Sequence, residues 1–199
     1  LETQLRDCAY SEIGTHLGRP TQAYIGLSAA KALDAQAGLE TSMGATLAAL
    51  TGINSISGPG MLDFERCISM EKLVVDNEIC GLVQRMVRGI EPKDDFPSRP
   101  IFEEMLREGH VLIAEHTMTH LGSEHHFPGP VIERASLPRW QEEGSTTLGE
   151  RAHAEVQRHL AEYEPSRLSE DAKRELVALM SAEARRHGVD ELPEREASS

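Results

Sequence analysis

Helix-length amphipathic stretches alternate with short apolar stretches over the first ninety or so residues. Residues 3–18 carry apolar positions at helical spacing and end in Gly18-Arg19-Pro20, a combination that stops a helix. Residues 21–27 and 53–57 are short and contain β-branched or aromatic residues, so they predict strands. A helical pattern follows each of these strands. This order, which contains no hairpin signal, predicts βαβ connectivity and a parallel sheet.

The two helices that follow the strands have recognisable ends. Asp34 can cap the first of them and Gly52 can end it, while the small residues Ser42, Gly44 and Ala45 would let one side lie close against a sheet. The second helix is predicted to begin at a Ser69 cap and to end at Gly89. Its apolar stripe is expected to include Leu73, Val74, Asn77, Cys80, Gly81, Gln84 and Val87.

The stripe includes one amide side chain. Because a buried Asn needs hydrogen-bond partners, Asn77 is expected to bond to a neighbouring loop, with substrate contact as the alternative.

The second half of the chain has a different pattern. Residues 91–97 are rich in proline and acidic residues, which favours a subdomain boundary, and a short helix is predicted at about 99–108. Two amphipathic helices are predicted at about 147–163 and 169–187. Their apolar positions are expected to pack against the first half of the chain. These positions are Leu148, Ala152, Val156, Leu160, Leu176, Leu179 and Met180.

Composition narrows the class of protein. The 199 residues suffice for one globular core, and a formal net charge of −13 argues against binding nucleic acid or an anionic membrane. Ordinary solubility is a sufficient reason for this charge. The three cysteines form neither a CxxC pair nor an even-numbered disulfide framework, which indicates a reducing compartment, and we expect a cytoplasmic protein.

Five histidines lie close together between positions 110 and 126. Within this group, His116 and His120 are spaced so that both rings fall on one face of a helix, which could bind zinc. The stretch lacks the HExxH arrangement, and capping or hydrogen bonding by these side chains is the favoured alternative. A metal-dependent hydrolase built on this group is therefore a less favoured hypothesis. The group comprises His110, His116, His120, His125 and His126.

Several blocks of sequence, in the same order and at similar spacing, make the chain resemble the C-terminal part of the trimethylamine methyltransferase family. The resemblance continues more loosely through His116-Thr117-Met118-Thr119-His120 to about His187. The blocks are Asp34-Ala35-Gln36-Ala37-Gly38-Leu39-Glu40, Ala48-Ala49-Leu50-Thr51-Gly52-Ile53-Asn54, Gly58-Pro59-Gly60-Met61-Leu62, Leu73-Val74-Val75-Asp76-Asn77-Glu78 and Arg88-Gly89-Ile90.

The resemblance implies a fold and a domain organisation. The fold class is α/β, the C-terminal portion of a (β/α)8 (TIM) barrel with parallel strands, followed by a helical C-terminal extension. Residues 1–92 would be the last βα units of the barrel and residues 93–192 the extension. Residues 193–199 are predicted to form a disordered tail. The chain is accordingly interpreted as a piece of a longer protein.

In such a barrel, the loops that follow the strands carry the chemistry. Residues 28–34 and 58–64 follow the two predicted strands, and right-handed crossover should place these loops side by side at one end of the sheet. Asp34 could equally be a plain helix cap, Gln36 a surface amide, and the glycines turn residues. No catalytic residue is assigned. The predicted substrate-binding residues are Ser28, Lys31, Asp34, Gln36, Gly58, Gly60 and Met61.

The resemblance also implies a reaction: methyl transfer from a methylated or quaternary amine to the cobalt of a separate corrinoid protein. The chain would bind no cofactor directly, and its partners would be the corrinoid protein and the amine; a homo-oligomer is left open. Archaeal members use pyrrolysine, and spacing places the equivalent position near Gly26. Because all residues of this chain are standard ones, a betaine-type substrate is favoured. The chain departs from the family near Ser28-Ala29-Ala30-Lys31, where a Thr-Asp pair often precedes the small residue and the lysine, and Ala29 cannot bind a cation as that Asp could. A degenerate, non-catalytic relative or fragment with a binding or assembly role is therefore the alternative.

Overall fold

The computed structural model describes residues 1–93, 97–164 and 168–193. The chain divides into two compact units, Leu1–Leu160 and Ala161–Ser199. None of the helices in the described ranges is both long and apolar enough to cross a membrane. The elements are α1 (Glu2–His16), β1 (Gln22–Tyr24), α2 (Ala35–Leu50), β2 (Ser55–Ser57), β3 (Met61–Leu62), β4 (Cys67–Ile68), α3 (Met70–Arg88), α4 (Arg99–Glu108), α5 (Glu115–Glu124), α6 (Leu137–Glu142), α7 (Leu148–Ala161) and α8 (Glu170–Arg186).

Strands β1 and β2 form a parallel pair in which Ala23 lies opposite Ile56. Helix α2 connects the two strands, so the predicted βαβ unit is confirmed. The helix lies very close to the sheet: a Cβ placed on Gly44 would be 1.7 Å from the carbonyl oxygen of Ile25. Only glycine fits at this crossing, as the run of small residues predicted. A core formed by Ala23, Ile25, Ala48 and Ile53 fills the space between α2 and the sheet.

The predicted helix ends are confirmed. The Asp34 carboxylate accepts hydrogen bonds from the backbone N–H groups of Gln36 at 2.9 Å and Ala37 at 3.2 Å, and so caps α2. The Ser69 hydroxyl oxygen accepts a bond from the Lys72 N–H at 3.1 Å and caps α3. These side chains satisfy N–H groups that otherwise lack a partner in the first turn of a helix.

A short hairpin that the sequence pattern did not signal begins within the second predicted loop. Strands β3 and β4 form a short antiparallel pair, with Met61 opposite Ile68 and Leu62 opposite Cys67. The connection between them contains no glycine or asparagine, although Asp63, Phe64 and Glu65 all have positive φ. Turns with positive φ are usually marked by those two residues, and their absence here leaves the hairpin without a recognisable sequence signal.

The predicted apolar stripe of α3 is also wrong. Asn77 and Gln84 are exposed, whereas the buried residues of the helix are Lys72, Val75, Asp76 and Val83. Asn77 is therefore not the buried, hydrogen-bonded residue that the pattern predicted. The stripe was misplaced because a charged pair occupies the buried face, and a hydrophobicity pattern assigns charges to solvent.

In the second half, α4 matches its predicted bounds, and α7 and α8 match theirs to within one or two residues. Ala152 and Val156 of α7 are buried, and Ala152 packs with Val75 and Val131. Helix α8 contains no buried residue. The predicted boundary at residues 91–97 lies partly outside the described residues, and so does all of the predicted tail except Pro193.

Candidate functional site

The two predicted site loops lie side by side at the carboxyl ends of β1 and β2, as expected. Residues 28–34 form the first loop, which leads into α2; residues 58–64 form the second, which includes β3. The Ser28 N–H donates to the Met61 carbonyl oxygen at 3.3 Å, and the Phe64 N–H donates to the Ser28 carbonyl oxygen at 3.2 Å. A third bond runs from the Asp63 N–H to the Ala30 carbonyl oxygen at 3.0 Å. Backbone pairing therefore fixes the two loops to each other.

Glu40 of α2 holds the first loop in place. Its Oε2 accepts hydrogen bonds from the Ser28 hydroxyl at 2.6 Å and the Ala29 N–H at 2.7 Å, while Oε1 accepts one from Gln36 Nε2 at 2.9 Å. Burial alone would raise the pKa of Glu40, but the bonds from Ser28, Gln36 and Ala29 outweigh it and lower the pKa. Glu40 therefore places a carboxylate, favoured in its ionised form, beside the start of the first loop.

Sequence reasoning missed Glu40. Two signals were present: Glu40 is the last residue of the first family-like block, and it lies one helical turn after Gln36 on α2. Ser28, which was predicted, is fully buried, and its hydroxyl is occupied by Glu40.

Lys31 bridges the two loops at the surface. Its Nζ lies 2.9 Å from Asp63 Oδ1, donates to the Ala29 carbonyl oxygen at 2.7 Å and lies 5.7 Å from the centre of the Phe64 ring. The hydrogen bond from Lys31 lowers the pKa of Asp63. The positive charge of Lys31 is thus largely compensated within the loops.

Asp34 and Gln36 are exposed and are used locally, Asp34 as the cap of α2 and Gln36 as a donor to Glu40. Gly58 has φ +113°, and a Cβ on it would lie 2.6 Å from the Leu27 nitrogen, so the second loop passes directly against the backbone that follows β1. Only glycine allows this approach. Met61 contacts the first loop through its backbone.

The Gly60 N–H is held by a carboxylate of α3. It donates to Asp76 Oδ2 at 2.7 Å, and Gly60 itself has φ +84°. The glycines of the second loop are therefore needed for its backbone conformation.

A cavity of about 550 Å³ opens beside Glu40. All seven predicted site residues are described, and none of them lines this cavity. Two aromatic residues and three acidic residues are among those that do. The lining residues are Leu1, Thr3, Gln4, Asp7, Tyr24, Ile25, Leu27, Ala29, Leu39, Glu40, Met43, Phe64 and Glu65.

The histidine group, between positions 110 and 126, is separated in sequence from the two loops. His116 and His120 share α5, with their ring centres 4.7 Å apart, which confirms the predicted common face. His125 Nε2 lies 3.1 Å from Arg134 Nη2. Across residues 1–93, 97–164 and 168–193, no group of three or more His, Cys, Asp or Glu side chains is arranged to hold a metal ion.

The βαβ unit and the paired loops at its carboxyl edge define an α/β protein whose candidate site has the position typical of parallel-sheet enzymes. The family described as trimethylamine methyltransferase (MTTB) matches residues 2–188, and the chain belongs to that family. The resemblance drawn from the sequence blocks is thereby confirmed.

Individual relatives agree with this assignment. The chain is 30% identical over 183 residues to the glycine betaine methyltransferase of Desulfitobacterium hafniense (strain Y51), covering 92% of the chain and 38% of the relative. It is 27% identical over 181 residues to the trimethylamine methyltransferase MttB of Methanosarcina barkeri (strain Fusaro / DSM 804), covering 90% and 36%. The chain thus spans less than two fifths of the length of these relatives.

Proposed function

We propose that the chain is the C-terminal portion of a corrinoid-dependent methyltransferase that moves a methyl group from a methylated or quaternary amine to the cobalt of a separate corrinoid protein. The observation that carries this proposal is membership of the trimethylamine methyltransferase family over residues 2–188. The chain is 30% identical to a relative named for glycine betaine and 27% identical to one named for trimethylamine. The whole protein is proposed to act in the cytoplasm.

The proposed fold follows from the same observation. Residues 1–92 would form the last βα units of a (β/α)8 barrel and residues 93–192 a helical extension. The parallel β1–β2 pair, joined by α2, is the unit from which such barrels are built. The paired loops after β1 and β2 would then lie at the barrel face where active sites occur.

The paired loops, residues 28–34 and 58–64, would form part of the opening through which the substrate enters the barrel, which we call the substrate mouth. Ser28, Lys31, Asp34, Gln36, Gly58, Gly60 and Met61 are proposed to shape it, and Glu40 joins them because of its bonds to Ser28 and Ala29. A quaternary ammonium group already carries the positive charge that makes the amine a leaving group. The residues of this chain would therefore contribute positioning and negative charge, and need not form a covalent bond to the substrate.

The location of the negative charge favours a cationic substrate. Ala29 has no side chain that can bind a cation, but its N–H donates to Glu40, so an ionised carboxylate lies beside that position. Lys31 is paired with Asp63 and adds little net positive charge to the mouth. The corrinoid of the partner protein would supply the nucleophile that accepts the methyl group. Exposed Lys31, Asp34 and Gln36 suit a mouth that a large partner must approach.

The experiment is methyl transfer by the full-length protein to a methylamine-type corrinoid protein, with cobalt methylation followed by absorbance and a panel of trimethylamine, glycine betaine and other quaternary amines as donors. We expect transfer from at least one donor. The 199-residue chain, assayed in parallel, should transfer none, because the catalytic residues of a barrel come from several strands. Transfer by the isolated chain would contradict its proposed status as a portion of the enzyme.

A non-catalytic relative with a binding or assembly role is the second candidate, and the observation in its favour is Ala29. This candidate predicts that the full-length protein transfers no methyl group from any of these amines to the corrinoid protein. It would gain further support if the full-length protein bound the corrinoid protein without turnover.

A further inference from the structure

Two fully buried charged side chains lie beneath the second loop. Lys72 and Asp76, four residues apart on α3, have exposed fractions of 0% and 1%. Lys72 Nζ lies 2.5 Å from Asp76 Oδ2. Lysine and aspartate are almost never buried to this degree without a specific reason.

The pair connects both parts of the candidate mouth. Asp76 Oδ2 accepts a hydrogen bond from the Gly60 N–H at 2.7 Å, which fixes the second loop at the last residue of the Gly58-Pro59-Gly60 turn. Lys72 Nζ donates to the Thr41 hydroxyl oxygen at 2.9 Å, and the Thr41 hydroxyl donates to the Gly26 carbonyl oxygen at 3.3 Å. One buried network therefore runs from the loop after β2, through α3 and α2, to the Gly26 backbone just after β1.

Stability alone does not account for this arrangement. Removing two charges from water costs free energy that their attraction often fails to recover, so a hydrophobic pair of similar volume is frequently as stable. Asp76 Oδ1 is buried and has no hydrogen-bond partner within the described part of the chain, which adds to the cost. The network does place a charged acceptor within hydrogen-bond distance of the Gly60 N–H. An apolar pair could not provide such an acceptor.

We propose that Lys72 and Asp76 are positioning residues for the candidate mouth, holding the Gly60 backbone at a fixed place relative to the end of β1. Asp76 acts on Gly60 directly, while Lys72 orients Asp76 and links it through Thr41 to Gly26. Neither side chain reaches the surface, so neither contacts the substrate. The link to catalysis rests on the function proposed above; the anchoring of Gly60 does not.

The test of anchoring uses the 199-residue chain and two variants. The first is the double variant Lys72→Met with Asp76→Leu, which replaces the ion pair by apolar side chains of similar size. The second is Lys72→Met with Asp76→Asn, which also removes both charges but keeps an acceptor oxygen for the Gly60 N–H; Asp76→Asn alone would leave the buried Lys72 charge without a partner. Hydrogen exchange of individual backbone amides is measured by NMR, with the amides of α8 as the internal reference.

With Lys72→Met and Asp76→Leu, the Gly60 amide should exchange about tenfold faster or more relative to the α8 amides, because its bond to a charged acceptor is lost. Lys72→Met with Asp76→Asn should give a smaller increase at the same amide, because an acceptor oxygen remains. Unchanged exchange at Gly60 in either folded variant would overturn the proposal. A uniform increase at all amides of the first unit would also overturn it, because that pattern indicates general destabilisation.

The same variants in the full-length protein test the consequence for catalysis. Turnover should fall by about tenfold or more, because a displaced Gly60 backbone would misplace the loop that holds the substrate, while the KM for the corrinoid protein stays unchanged. A rise in that KM with unchanged turnover would overturn the catalytic part. If the unaltered full-length protein transfers no methyl group, the proposed function fails, and the exchange measurement still decides whether the pair anchors Gly60.

Discussion

The Ser28 hydroxyl donates a hydrogen bond to Glu40 Oε2 at 2.6 Å, and this contact ties the loop after β1 to the helix that follows it. Ser28 is fully buried, so the bond is shielded from competing water on the serine side. The adjacent Ala29 N–H donates to the same oxygen at 2.7 Å. One carboxylate oxygen thus fixes the start of the first loop. A substitution of Glu40 should therefore alter the conformation of this loop at the candidate substrate site.

Glu40→Gln should lower the free energy of unfolding of the 199-residue chain by about 1 kcal/mol at pH 7, because hydrogen bonds to a charged acceptor become bonds to a neutral one. The pKa of Glu40 in the folded protein is below its usual 4.5. The stability that ionised Glu40 contributes to the folded protein is therefore fully present above pH 4.5 and is lost as the pH falls through the folded-state pKa. Urea unfolding at pH 7 and at stepwise lower pH should show the two proteins converging in acid.

Glu103→Gln is the control for this prediction. Glu103 forms an exposed ion pair with Arg99 at 2.7 Å on α4, and such pairs contribute about 0.5 kcal/mol or less. A cost at Glu40 no larger than that at Glu103, or one independent of pH, would contradict the role given to Glu40.

Asp34→Ala should reduce the free energy of unfolding by about 1 kcal/mol through loss of the α2 cap. In the full-length protein, we expect methyl transfer to fall by more than this loss explains, because a cost of this size leaves a typical domain folded. Asp34→Asn retains a capping side chain and removes only the charge. Its methyl transfer therefore measures the contribution of the charge to the mouth.

Ser169→Ala provides the matched control, because Ser169 caps α8 by accepting a bond from the Ala172 N–H at 3.2 Å. It should cost similar stability and leave methyl transfer unchanged. Normal turnover by Asp34→Ala would show that the substrate site does not depend on this residue.

Gly44→Ala should destabilise the chain by about 2–3 kcal/mol, because the added methyl group would lie 1.7 Å from the Ile25 carbonyl oxygen and would push α2 off the sheet. Gly38→Ala, in the same helix, has open space around the added Cβ and should stabilise the chain by about 0.5–1 kcal/mol. Thermal or urea unfolding of the two variants checks both signs. Equal effects at the two positions would contradict the close crossing of α2 and β1.

Elemental analysis of the purified chain should find no stoichiometric zinc, and a chelator should leave its melting temperature unchanged. The physical reason is that His116 and His120 supply only two ligands, whereas structural zinc sites use four. His120→Ala should likewise leave the metal content unchanged. One equivalent of bound metal, lost on chelation together with stability, would contradict this prediction.

Much of the fold was predictable from short stretches of sequence. Asp34 and Ser69 each cap a helix by bonding to N–H groups two or three residues away, so their roles depend on residues that are adjacent in the sequence. The closeness of α2 to the sheet followed from the small residues around Gly44. The juxtaposition of the two loops was also predictable, because right-handed crossover leaves few arrangements for strand, helix and strand.

Other features depended on partners distant in the sequence. Glu40 acquires its role from Ser28 and Ala29, which face it only after the chain has turned from β1 into α2. The β3–β4 hairpin is stabilised in part by pairing of Met61 with the first loop, a contact that its own turn residues do not indicate.

The amino-acid sequence by itself determined the helix ends, the parallel βαβ unit and the family, because these depend on interactions between neighbours or on blocks of residues in order. Only the tertiary structure decided which face of α3 is buried. Lys72 and Asp76 are polar and belong in water unless each finds a partner, and Thr41 and Gly60 become partners only when α2, α3 and the second loop meet. The free energy of burying a charge depends on those distant contacts, and a one-dimensional pattern of hydrophobic and polar residues does not contain them.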